Sequence, residues 1–185
     1  TTAEVRVFSN FESLNDPTFA MREWHRGGSH SADSIRGYIT LEDSCKDDSM
    51  VFETYSETPE LLDVIDSDNT PQLFHSALLR SRCRVTSQPD SGDVYIYFKG
   101  GKTVTEESLL KYIVSFRDEC HFHEEICEAI TKRLIDVLGP EELVVRCLYA
   151  RRGGIDINPE RRLKHTNKHY SLSDVNVPYI KTPKQ

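Results

Sequence analysis

The chain has no apolar run approaching the roughly 20 residues that a membrane-spanning helix needs, and no signal-peptide pattern, so a membrane partner is not expected. It holds no G-x-G-x-x-G and no P-loop sequence, which removes the sequence case for a Rossmann dinucleotide site or a P-loop NTPase. Its cysteines, Cys45, Cys83, Cys120, Cys127 and Cys147, are odd in number and thinly spread. That is no secreted disulfide framework, and reduced thiols in a cytoplasmic protein are expected instead. Cys120, His121, His123 and Cys127 lie close together but do not form paired Cys-x-x-Cys or His-x-x-x-His halves, and no second cluster completes them. No metal is therefore expected. Cations are in deficit, 23 Lys and Arg against 30 Asp and Glu, and the net charge of -7 argues against nucleic acid as the main partner.

What is present describes a globular chain. At 185 residues it can bury one core with partly ordered additions. It begins Thr1-Thr2 without Met and is read as part of a longer polypeptide. Ala3 to Phe8 alternates as a strand, residues 9–34 read as irregular, and Arg36 to Leu41 is a second candidate strand. Met50 to Tyr55 forms a short strand-like piece. Asn69-Thr70 before Pro71, with Leu73, Leu78 and Leu79 able to share a face, predicts a helix over Pro71 to Arg80. Arg84 to Thr86 reads as extended, Asp93 to Phe98 as a strand, and Lys99 to Lys102 as a hairpin-like turn.

Two helices follow. One is capped by Thr105 and carries Leu109, Leu110, Ile113, Val114 and Phe116. The other begins near His123-Glu124, repeats Ile126, Ile130, Leu134 and Leu138, and stops at Gly139-Pro140. Glu141 to Ala150 reads as a strand, broken at Arg151 to Gly154 and resuming over Ile155 to Ile157, and residues 160–185 read as a tail. This order predicts an α+β fold, an antiparallel sheet with two helices packed on one face. Its open edges predict closure by further copies.

The octapeptide from Cys83 to Asp90 sets a thiol seven positions before a carboxylate, with Gln88-Pro89 as punctuation. The thiolate is the nucleophile, and a nearby carboxylate can take or return the proton. Arg82 and Arg84 flank the thiol and favour its ionised form, whereas Cys127 and Cys147 sit among apolar residues and read as core. His123 and Glu124 open a helix, where a carboxylate serves as a dipole partner or aims at a ligand. There Glu124 could accept paired hydrogen bonds from a guanine-type edge. Arg151-Arg152-Gly153-Gly154 has the makings of an anion site or of an ordinary turn.

Taken in order, Cys83…Gln88-Pro89-Asp90, Tyr112 to Arg117, Phe122-His123-Glu124 and Arg151 to Pro159 resemble the QueF family, the NADPH-dependent 7-cyano-7-deazaguanine reductases of queuosine tRNA-modification biosynthesis. The likeness runs from about Glu42 to Pro159. It implies a tunnelling-fold (T-fold) module over residues 47–159, with residues 1–46 a divergent segment or the remnant of a first module and residues 160–185 a C-terminal tail. Such modules pair with one another, as homo-oligomers or with a first module, around purine- or pterin-like rings. The resemblance implies that Cys83 adds to the substrate nitrile to give a thioimide and that Asp90 is the proton donor. It further implies that His123 and Glu124 bind 7-cyano-7-deazaguanine, that Arg152 and Gly153 contact NADPH, and that the nitrile becomes an aminomethyl group.

Two departures stand out. The family's Glu-Ser-Lys-Ser-x-Lys-Leu-Tyr cofactor motif falls at Thr105 to Tyr112, where only Ser108 and Tyr112 survive. Ser91 replaces the aromatic residue usual after Gln-Pro-Asp. The first departure resembles the second module of the two-module subfamily. The competing classes are a T-fold purine- or pterin-binding module without reductase activity and a cyclohydrolase-like enzyme, which needs metal ligands.

Overall fold

A computed structural model describes residues 38–45 and 50–164. In chain order these form strand β1 (Ile39–Thr40), the single-turn helix α1 (Leu41–Ser44), β2 (Val64–Asp66), β3 (Gln72–Arg82), β4 (Pro89–Lys99) and β5 (Lys102–Val104). Helix α2 (Glu106–Ser115), helix α3 (His123–Leu138), β6 (Glu142–Tyr149) and β7 (Glu160–Lys164) complete the set. Five strands make one sheet in the order β1-β3-β4-β6-β7; β1 runs parallel to β3 and every other pairing is antiparallel. The strand and loop predicted over 3–8 and 9–34 lie outside the described residues.

The core forms where alternate strand residues meet the two helices. Phe74, Val94, Ile96, Phe98, Leu143, Val145, Cys147 and Tyr149 lie buried against Leu109, Tyr112 and Ile113 of α2 and Ile126, Ile130 and Leu134 of α3. α2 packs on β3, and α3 on β6 and β7. Full burial of one such aliphatic side chain stabilises by about 1.5–3 kcal/mol, so these positions dominate the fold's stability. The expected α+β class, with two helices on one face of a mostly antiparallel sheet, is the fold observed. Thr105 caps α2 by accepting from the Ser108 N–H at 3.3 Å. At the start of α3 the Glu125 carboxylate accepts from the Phe122 N–H at 2.8 Å, and Gly139, at φ 53°, ends that helix left-handed.

The predicted helix over Pro71 to Arg80 is instead strand β3. Its buried positions alternate as Phe74 and Ser76, then Leu79 and Ser81, with the phase reset by a β-bulge between Ser76 and Leu79. That bulge sets Leu78 beside Leu79 in sequence, which breaks the period of two and imitates a helical face. Glu42 holds the bulge: its Oε1 accepts from the Ser76 hydroxyl at 2.9 Å and from the Ala77 N–H.

Other expectations shift as well. Arg84 to Thr86 is a turn, Met50 to Tyr55 forms no strand, and Ile155 makes only an isolated bridge to Arg152. Gly100-Gly101 is no hairpin within the main sheet, because β5 leaves it and pairs antiparallel with β2. Both ends of the described chain join the sheet: Leu41, beside β1, is fully buried, and Glu160–Lys164, read as tail, pairs with β6 as an edge strand.

The bulge gives a direct test. Glu42→Ala removes the carboxylate that accepts from the part-buried Ala77 N–H and the Ser76 hydroxyl and should destabilise the fold by about 1–3 kcal/mol in chemical denaturation. Glu42→Gln, which keeps an acceptor, should lose clearly less; equal losses would show that the bulge does not depend on this acceptor.

Candidate active site

The β3–β4 hairpin carries the thiol and the acid on one short connection. The Cys83 N–H donates to Gln88 O and the Ser87 N–H to Cys83 O, both at 2.8 Å, while Ser87 takes φ 56° to reverse the chain. Pro89, which has no N–H to give, opens β4 opposite Arg82. The thiol of Cys83 is free and partly exposed. The Thr86 hydroxyl, then the Thr86 and Val85 N–H groups, hold its pKa below the ordinary thiol value, against burial and the charge of Asp90.

A second segment locks this turn to the start of α3. The Arg82 N–H donates to Glu119 O at 2.8 Å and the His121 N–H to Arg82 O at 3.1 Å, so residues 119–121 run alongside the end of β3. Arg82 pairs with Asp118 at 2.8 Å and Arg84 with Glu125 at 2.9 Å; the Arg84 guanidinium also lies 5.3 Å from the Phe122 ring centroid. These contacts bring the N-terminus of α3, and with it His123, to the hairpin.

Asp90 lies on β4 opposite Ser81 and is 4% exposed. Its Oδ1 meets Arg152 Nε at 2.6 Å, and its Oδ2 lies 3.3 Å from His123 Nε2. The His123 ring stacks flat on Tyr149, 3.9 Å between centroids and 7° between planes. His123 Nδ1 is buried and has no hydrogen-bond partner among the described residues. Close strand approach behind Asp90 needs Gly92, where a Cβ would sit 2.9 Å from Leu148 O.

Arg152 comes from the turn after β6. Its N–H and carbonyl both bond Ile155, and the glycines between them, Gly153 at φ 55° and Gly154 at φ 81°, supply the left-handed conformations a two-residue reversal needs. Of the residues singled out in the sequence, Cys83, Asp90, His123 and Arg152 thus share one end of the sheet, with Gly153 next to them in the chain. Glu124 differs: it is exposed and makes no hydrogen bond or ion pair among the described residues. Sequence spacing gave no sign of Tyr149 or Thr86, whose parts appear only once the strands are paired, and it marked Gln88 as turn punctuation without showing its bonds to Cys83 and Arg152.

The rest of the cofactor motif has other work. The Ser108 hydroxyl donates to Thr105 O within the cap of α2, and the buried Tyr112 hydroxyl donates to Glu57 Oε1 at 3.1 Å beside Arg133. Burial pushes the Tyr112 phenol far up, with Glu57 adding to it. Among the described residues no group of three or more His, Cys, Asp or Glu could hold a metal, and no helix is long and apolar enough to cross a membrane.

Residues 89–168 match the family model described as QueF-like protein. Over that segment, somewhat less than half of its length, the chain is similar to the QueF-like family. Asp90, His123, Glu124, Arg152 and Gly153 lie inside the match, and Cys83 lies six residues before it. Among solved structures, the archaeosine synthase QueF-Like in its apo form is similar at 17% identity and a TM-score of 0.46, covering 52% of this chain and 94% of that one.

Because hydrogen bonding favours the Cys83 thiolate, alkylation of Cys83 followed by peptide mass should titrate below the usual thiol value of about 8.5. Thr86→Val should move that midpoint upward. An unmoved midpoint would remove the hydroxyl as its cause.

Proposed function

We propose that this chain is a QueF-family enzyme whose Cys83 adds to the nitrile of 7-cyano-7-deazaguanine, on the way to the aminomethyl product in queuosine biosynthesis. The observation that carries the reading is the meeting of a thiolate-favouring turn with a buried Asp90–His123 pair at one sheet end. In the step, Cys83 Sγ bonds to the nitrile carbon and one π pair of the C≡N bond moves to nitrogen. That nitrogen takes a proton through Asp90, giving the thioimide, S–C(=NH)–R. Overall the thiol proton ends on the former nitrile nitrogen. His123, stacked flat on Tyr149 beside Asp90, is proposed to bind the substrate, and the exposed Glu124 carboxylate to accept from its guanine-type edge.

NADPH is the proposed hydride source, and its fit to this chain is incomplete. A Cβ at Gly153 would meet nothing within 4 Å, so the turn leaves room for a ligand to approach. The cations do not fit an anionic cofactor: Arg82, Arg84, Arg151 and Arg152 are each held by a carboxylate of the chain, Asp118, Glu125, Asp156 and Asp90 respectively. Glu106 and Glu107 also place two acids in the first turn of α2. A second copy or a first module is proposed to complete the site. Support comes from Val85, Phe122 and Ile155, which are 76%, 44% and 65% exposed on the three segments that build it.

Incubation with 7-cyano-7-deazaguanine should raise the intact mass by that of the nitrile, and Cys83→Ala should abolish the adduct. Absence of adduct in the unmodified protein would end this reading. Asp90→Asn should slow adduct formation by 10²-fold or more, within the range of about 10²–10⁴ that a positioned acid contributes, while nitrile binding changes little. Equal losses in rate and binding would make Asp90 structural.

A further inference from the structure

Each of the three guanidinium nitrogens of Arg152 is engaged by one of three consecutive residues. Nε meets Asp90 Oδ1 at 2.6 Å, Nη1 donates to Gln88 Oε1 at 3.3 Å, and Nη2 donates to Pro89 O at 3.0 Å. These residues are the hinge between the Cys83 turn and β4, and Gln88 O is also the acceptor of the Cys83 N–H. The planar fork of Arg, with donors in fixed directions, suits such a three-point grip, and an ammonium does not. The base of the grip is itself braced by the two backbone bonds between Arg152 and Ile155.

We infer that Arg152 is a positioning residue: it fastens the proton-carrying carboxylate and the mouth of the nucleophile's turn into one unit, in place of anchoring a cofactor phosphate. The assignment rests on the covalent reading above and departs from the cofactor contact that the family resemblance implies. A phosphate anchor needs charge left over. Here the charge is matched by a carboxylate at 2.6 Å, and one donor of each nitrogen is committed to holding the turn. Loss of the side chain should therefore disturb a step that takes place before any cofactor arrives.

The test is adduct formation with 7-cyano-7-deazaguanine in the absence of NADPH. Arg152→Ala should slow the saturated rate at least tenfold with nitrile affinity within about threefold of the original. Arg152→Lys, which can meet Asp90 but not Gln88 and Pro89 together, should stay slow. A rate within twofold of the original in either variant would overturn the inference, as would a defect confined to the KM for NADPH. Hydrogen exchange on the free protein gives a measure independent of the substrate. The Cys83 amide should exchange at least tenfold faster in Arg152→Ala, while the Ile130 amide in the middle of α3 keeps its protection, which shows that the variant is folded. An unchanged Cys83 amide would overturn the inference even if the unmodified protein formed no adduct, a result that would count against the covalent reading alone.

Discussion

A carboxylate buried to the extent of Asp90 is costly unless it is paired, and the end of the sheet is built around pairing it. One oxygen is met from the turn after β6 and the other from the first residue of α3, so two elements far apart in the chain converge on β4. Gly92 lets β6 come close enough, and Tyr149 provides the floor on which His123 lies. Removing Arg152 would take away the guanidinium that matches this buried charge. The thiol is placed by the same arrangement, since its turn is an extension of the strand that bears the acid.

The elements with a long, uninterrupted period were legible from the residues. α2 and α3, with their cap at Thr105 and stop at Gly139, are where the spacing of Leu109, Ile113, Ile126 and Ile130 puts them, and the central strands follow from Asp93–Phe98 and Glu141–Ala150. β3 was not legible, because a single inserted residue at its bulge resets the alternation and the acceptor that tolerates the bulge, Glu42, lies on a different element. β7 escaped notice for a related reason. It is an edge strand of Glu, Arg, Arg, Leu and Lys whose place is set by pairing with β6, and its own composition reads as solvated chain.

The candidate site divides along the same line. Thiol and acid could be read from one octapeptide because a hairpin turns sequence neighbours into spatial ones. The partners of Asp90 could be named but not assigned, since the choice between a phosphate-facing and an inward-facing Arg152 depends on which carboxylates lie within reach. The arginines that lend the octapeptide and the Arg-Arg-Gly-Gly segment a cationic look are matched one for one by acids, three remote in sequence and one, Asp156, five residues beyond Arg151. Ser108 and Tyr112, at the place of the cofactor motif, make their hydrogen bonds in the cap of α2 and in the core.

The hairpin between β3 and β4 also bears on how the site comes together. Closing so short a loop costs little chain entropy, so Cys83 and Asp90 become neighbours as soon as these two strands pair. Arg152 and His123 arrive only through the more distant contacts of β6 and α3. A chain arrested before those contacts form would already display its thiol beside an unmatched carboxylate, whose charge opposes ionisation of the sulfur. The groups that favour the thiolate, the Thr86 hydroxyl and the Thr86 and Val85 N–H groups, belong to that same turn, so the environment of the sulfur is complete in the hairpin before the partners of Asp90 arrive.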